Sequence, residues 1–172
     1  MDGAVVVREG RAQDAGALAE ALERNRGHMR ATEPVRHPLY YTAGGQAARL
    51  ADGGRRWFAV EGERIVGCAT LSGIVEGPFR SASLGYWVDG AYTGRGIAGA
   101  LVDEVLRAAE ETLGLHRVEA CVLPYNHASL RVLARAGFER IGFAPRYLHI
   151  DGEWRDHQLF QRILHDEAPP LA

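Results

Sequence analysis

A single α/β domain of the α+β kind, built on a mixed but mostly antiparallel twisted sheet flanked by helices, is the fold this sequence predicts. Three observations lead there. Runs of β-branched, aromatic and alternating apolar residues mark about seven strands. Segments with apolar residues at helical spacing interrupt those runs. The connections mix tight hairpins with strand–helix–strand crossovers, which demand antiparallel and parallel neighbours respectively. The chain has 172 residues, 47% of them apolar, enough for one sizeable core. One domain over 1–172, with its core at about 5–165, is therefore expected.

The elements follow in order. Valine-rich Ala4–Arg8 suits a strand, and Ala15, Leu18, Ala21 and Leu22 set a helical stripe within Ala12–Asn25. From Arg26 to Gly45 the pattern breaks, punctuated by Pro34, Pro38, Gly44 and Gly45. So long a connection in a compact domain is often functional. Gln46–Leu50 suggests a short helix. Trp57–Val60 and Arg64–Leu71 read as strands joined through Glu61-Gly62-Glu63, and Ala82–Val88 as a third strand. Gly94–Leu113 carries the longest helical stripe, stopped by Gly114. Arg117–Leu123 reads as a strand and Asn126–Ala136 as a helix ending at Gly137. Two last strands, about Phe138–Ile150 and Glu153–Leu164, flank Asp151-Gly152, a strong hairpin signal. The Ala168-Pro169-Pro170 tail is expected to fray.

Composition narrows the function. A net charge of −2 argues against a broad nucleic-acid surface. No apolar run is long enough to cross a bilayer, and the first residues lack a secretory pattern. The two cysteines, Cys68 and Cys121, are too few for a disulfide framework, so a reducing, cytoplasmic setting is expected. All 20 basic residues are arginine. No lysine side chain can therefore serve as nucleophile or Schiff base.

The most informative segment runs from Trp87 and Val88 through Thr93-Gly94-Arg95-Gly96-Ile97-Ala98-Gly99. A strand ends, a glycine-rich turn follows, and a long helix begins. A helix start leaves amides unpaired and partly positive, and glycines let them approach a phosphate closely. No Lys-Ser/Thr follows, which excludes the P-loop pattern, and the dinucleotide fold context is missing. A pyrophosphate from some other carrier remains. A second strand–helix junction, Leu123-Pro124-Tyr125-Asn126-His127-Ala128-Ser129, lies about thirty residues on, with Asn126 where an N-cap belongs.

Together these segments resemble the GNAT superfamily of N-acetyltransferases, and within it the RimJ/RimL group of ribosomal-protein N-terminal acetyltransferases. Thr93–Ala98 is similar to the family's (Gln/Arg)-x-x-Gly-x-(Gly/Ala) acetyl-CoA motif, with Thr93 departing at its first position. Asn126–Ser129 through Ala136-Gly137-Phe138 is similar to its Asn-x-x-Ser…Gly-Phe segment. Glu33-Pro34-Val35-Arg36, Leu84-Gly85-Tyr86 and Tyr147–His157 resemble the RimJ type in particular, and the likeness spans about Arg8 to Leu164.

The resemblance implies acetyl-CoA as cosubstrate and direct attack by an amine in a ternary complex. It implies carrier contacts from Trp87, Val88, Thr93–Gly99, Asn126 and Ser129. It also implies that the Val88 N–H faces the thioester oxygen and that Ser129 protonates the leaving thiolate, with Tyr147 a second candidate. For the base, relatives place a carboxylate on the strand where Ser83 stands here. Glu33 is favoured because its irregular segment is expected to wall the acceptor pocket; Glu119, Asp151 and Asp156 are alternatives. His149, His157 and His165 have no metal-type spacing, so no metal is expected. Trp57, Phe58, Tyr86 and Trp87 are read as core or pocket walls. The acceptor is expected to be a peptide or protein N-terminus, with a small amine, or no catalysis at all, as competing readings. The partners expected alongside acetyl-CoA are that amine and a second copy in a homodimer, without nucleic acid or membrane.

Overall fold

The computed structural model describes residues 3–171. Seven strands form one sheet in the order β1-β2-β3-β4-β5-β7-β6. They are β1 (Val5–Glu9), β2 (Arg55–Glu61), β3 (Arg64–Val75), β4 (Ser81–Val88), β5 (Arg117–Val122), β6 (Glu139–Ile150) and β7 (Glu153–Ile163). Every neighbouring pair is antiparallel except β4 with β5. The helices are α1 (Ala15–Arg24), α2 (Arg26–Met29), α3 (Ala43–Leu50), α4 (Ile97–Glu111) and α5 (His127–Arg135).

The sheet is covered on both faces, which explains the unbroken apolar run of β2. Its residues alternate: Trp57 and Ala59 join the core under α4, with Leu101, Val102 and Val105. Phe58 and Val60 face the other way, against Leu18, Ala21 and Leu22 of α1. The β6–β7 turn bears out the Asp-Gly signal, because Asp151 (φ 46°) and Gly152 (φ 84°) both take the left-handed backbone such a two-residue turn requires.

The segment expected to be irregular is partly ordered. It holds α2, a 3-10 turn at Pro38–Tyr41, and the start of α3, which begins at Ala43 rather than Gln46. Gly44 and Gly45 look like breakers, yet the Thr42 hydroxyl accepts the Gly45 N–H at 3.1 Å and caps the helix. Gly45 is needed for another reason: a Cβ there would collide with the Leu39 carbonyl. Helix α4 starts at Ile97, three residues later than its sequence stripe, because Gly94 and Gly96 both have φ of 77° and cannot be helical. Among the described residues, no helix is long and apolar enough to cross a membrane.

Candidate active site

Strands β4 and β5 pair only through Ser81, Ala82 and Ser83 against Arg117, Val118 and Glu119. Beyond Ser83 they share no ladder, so the sheet opens along the second half of β4. The Asp89 N–H donates to the Val66 carbonyl across β3 at 2.8 Å. Alternation along an antiparallel ladder then turns the Tyr86 and Val88 amides away from β3, into the opening. Each splayed strand feeds a helix through a short connection, α4 after β4 and α5 after β5. Both helix N-termini therefore stand at the open end of the sheet, where α/β folds bind ligands.

The N-terminus of α4 is a candidate anion cradle. Gly96 is its N-cap, and no side chain caps the helix. The amides of Ile97, Ala98 and Gly99 thus lack the intrahelical partner that Ala100 finds in the Gly96 carbonyl at 3.1 Å. A Cβ on Gly94, Gly96 or Gly99 would meet nothing within 4 Å, so the space over this backbone is open. Thr93, where the family has Gln or Arg, instead donates its hydroxyl to the Gly90 carbonyl at 3.2 Å and tightens the preceding turn. The Arg95 guanidinium lies over the Tyr92 ring, 4.7 Å from its centroid.

The loop before the cradle is fastened from beneath. Asp89, almost wholly buried, accepts the Ala91 amide at 3.0 Å and Arg24 Nε at 2.9 Å. Gly90 N–H donates to Asn25 Oδ1 at 2.9 Å. Burial pushes the Asp89 carboxyl up, but the Ala91 amide, Asn25 and Arg24 outweigh it and hold the group below the ordinary carboxylate range. The charged form is therefore the one that anchors the loop to the end of α1.

At the second junction Asn126 caps α5: its side-chain oxygen accepts the Ser129 N–H at 3.2 Å. That leaves the Asn126 amide nitrogen, rather than its oxygen, for a ligand. The Ser129 hydroxyl lies 2.6 Å from the Tyr86 hydroxyl, a bond that bridges α5 to the open half of β4. Burial raises the Tyr86 phenol, partly offset by its bond to Ser129, so it stays protonated at neutral pH. Sequence reading left Tyr86 among the pocket walls. Its partner lies 43 residues away, a pairing no local pattern encodes. Tyr147, the second candidate, lies on β6, half exposed, its ring 5.7 Å from that of His157.

Two cavities open beside β4. The larger, about 550 Å³, runs from Tyr86 and Trp87 across Cys68 and Thr70 of β3 to Glu33 and Arg36. The smaller, about 410 Å³, lies between Glu33–Arg36 and the Asp151-Gly152 turn. Glu33 lines both. Burial raises its carboxyl above the ordinary range, and Arg36, 3.8 Å away, only partly opposes this. The other carboxylates are engaged structurally: Glu119 pairs with Arg117, Asp151 with Arg30, and Asp156 accepts the Arg146 amide. Cys68 is buried and its thiol is pushed up to about 12 by that burial, so it is no nucleophile. Among the described residues, no group of His, Cys, Asp and Glu could hold a metal ion.

A splayed β4–β5 pair with an uncapped glycine helix start beside it suits a pyrophosphate carrier laid across the open end of the sheet. The match to a family model, the acetyltransferase (GNAT) domain, over residues 5–139 agrees: the chain belongs to the GNAT acetyltransferases, whose cosubstrate is acetyl-CoA. It is 34% identical to the ribosomal protein uS5-alanine N-acetyltransferase of Escherichia coli, covering 96% of this chain and 90% of that protein. The crystal structure of the ribosomal-protein-S5-alanine acetyltransferase from Vibrio fischeri superposes with a TM-score of 0.90 at 32% identity, over 95% of this chain and 94% of that one. RimJ from Mycobacterium smegmatis, solved with a CoA disulfide, superposes at 0.85 with 31% identity, over 94% of this chain and 83% of its own.

Proposed function

We propose that this enzyme acetylates the N-terminal α-amine of a protein, a ribosomal protein in the first instance, by direct attack of that amine on acetyl-CoA. The observation that carries this reading is the placement of Glu33 in two cavities that meet beside the open half of β4, together with relatives named for that reaction. The chemistry suits it. At pH 7 about a tenth of α-amines are neutral, against roughly one lysine side chain in two thousand. A single carboxylate of raised pKa is base enough for the former. Free Cys68 and Cys121 and a ribosomal acceptor fit a cytoplasmic setting.

Acetyl-CoA supplies the activated thioester; the chain does the rest. The amides of Gly96–Gly99 hold the diphosphate, the Asn126 amide nitrogen steadies the pantetheine arm, and Trp87 and Val88 border the thioester. The Val88 N–H stabilises negative charge on the carbonyl oxygen. Glu33 takes the proton from the attacking amine, through water where the two do not touch. Ser129 gives its proton to the departing sulfur as it takes one from Tyr86 across their 2.6 Å bond, and water returns a proton to Tyr86 as the products leave. Incubation with acetyl-CoA and paired peptides, one with a free N-terminus and one blocked but carrying an internal lysine, tests the acceptor. Turnover is expected only with the free terminus, and equal turnover of both would reject the reading.

The hydroxyl pair has its own signature. Ser129→Ala and Tyr86→Phe should each lower kcat roughly ten- to a hundredfold, with little change in KM for acetyl-CoA. Because the two act as one relay, the double variant should be scarcely worse than the poorer single. Multiplicative losses in single-turnover assays would show that they act separately.

A further inference from the structure

We propose that the far end of the larger cavity binds a carboxylate of the acceptor between Arg36 and Arg49, so that preferred substrates carry Asp or Glu at the second or third residue. This rests on the N-terminal acetylation reading above and sharpens it.

The cavity's charges do not balance. Arg36, Arg49 and Arg56 line it against Glu33 and Asp52. Arg56 is satisfied, its guanidinium bonded to Asp52 at 3.1 and 3.2 Å and to the Arg49 carbonyl at 2.6 Å. The other two are not. Their guanidiniums lie over the Tyr40 ring, each 5.0 Å from its centroid. Arg36 reaches Glu33 only at 3.8 Å, and its Nε is buried with no hydrogen-bond partner. Among the described residues, no carboxylate lies within ion-pair distance of Arg49. A buried guanidinium N–H without an acceptor is costly, and the planar fork of arginine matches a carboxylate. When Glu33 turns to the acceptor amine, Arg36 loses even its long contact.

That carboxylate has two chemical sources, an acidic side chain of a peptide and the α-carboxylate of a free amino acid. Relatives named for acetylation of a ribosomal protein's alanine favour the first. Free glutamate and aspartate are the acceptors that test the second.

The test compares peptides with N-terminal alanine that carry Glu, Gln or Lys at position two or three, with free glutamate and aspartate as separate acceptors. At one position the wild type should prefer Glu over Gln at least tenfold in kcat/KM. Arg36→Gln and Arg49→Gln should each pull that ratio towards one, and Arg49→Glu should favour Lys. Because each ratio is taken within one variant, partial loss of fold does not blur it. A wild-type ratio near one, or a ratio that survives both glutamine variants, overturns the proposal while leaving N-terminal acetylation standing. Faster turnover of free glutamate or aspartate overturns it in favour of an amino-acid substrate. If no peptide is acetylated, both readings fall.

Discussion

A Gly96→Val variant should bind acetyl-CoA at least tenfold more weakly while remaining folded. Gly96 holds φ of 77° at the N-cap of α4, a conformation that costs a non-glycine residue about 1–3 kcal/mol and a β-branched one the most. The chain can relieve that strain only by rotating the amides that follow. Those amides are the proposed cradle, and the new side chain projects into the space above it. Strain and obstruction act in the same direction, so the weakening exceeds what either gives alone. Calorimetric titration with CoA reads the affinity; thermal melting followed by circular dichroism reads the fold. The core under α4, from Leu101 to Ala109, is untouched, so the melt should move only by the strain.

The second large effect is expected at Glu33. Glu33→Gln should lower kcat/KM for a peptide acceptor by roughly a hundredfold or more. In the wild type, activity should rise with pH through a carboxyl pKa above the ordinary range, because burial disfavours the charged form that must accept the proton. That acidic limb should vanish in the variant, leaving only the limb of the amine itself. Stability should move the other way. A carboxyl raised on folding binds more protons in the native state, so stability is greatest at low pH and is lost as pH rises through the raised pKa. At neutral pH the glutamine variant is free of that penalty. Its Tm should therefore rise relative to wild type, and that gap should close as the pH falls below the ordinary carboxylate range. A fall in both activity and Tm at neutral pH would make Glu33 a structural residue.

How far these features were legible in the sequence depends on their range. Local signals carried far. Asp151-Gly152 specifies its hairpin because both residues tolerate a left-handed backbone, and Gly94 and Gly96 mark the cradle for the same reason. The alternating faces of β2 were hidden in a run that is apolar throughout, since helices cover both sides. Gly44 and Gly45 misled: residues read as punctuation sit inside α3, one of them because Leu39 crosses too closely for a side chain. Glu33 was expected to wall the pocket only through the likeness of its segment to the family, whereas the Tyr86–Ser129 bond was beyond reach, because it depends on the sheet bringing distant segments together. Arg36 stood out only within the Glu33–Arg36 likeness and Arg49 not at all; all three arginines line the cavity, and it is the bonds of Arg56 to Asp52 and the Arg49 carbonyl that set it apart.

Amide hydrogen exchange with and without CoA bears most directly on the pyrophosphate cradle. Binding should slow exchange most strongly at residues 96–99, and acetyl-pantetheine, which lacks the diphosphate, should leave those amides unchanged. Protection that bypasses α4's first turn, or that acetyl-pantetheine reproduces in full, would mean that these amides do not hold the carrier.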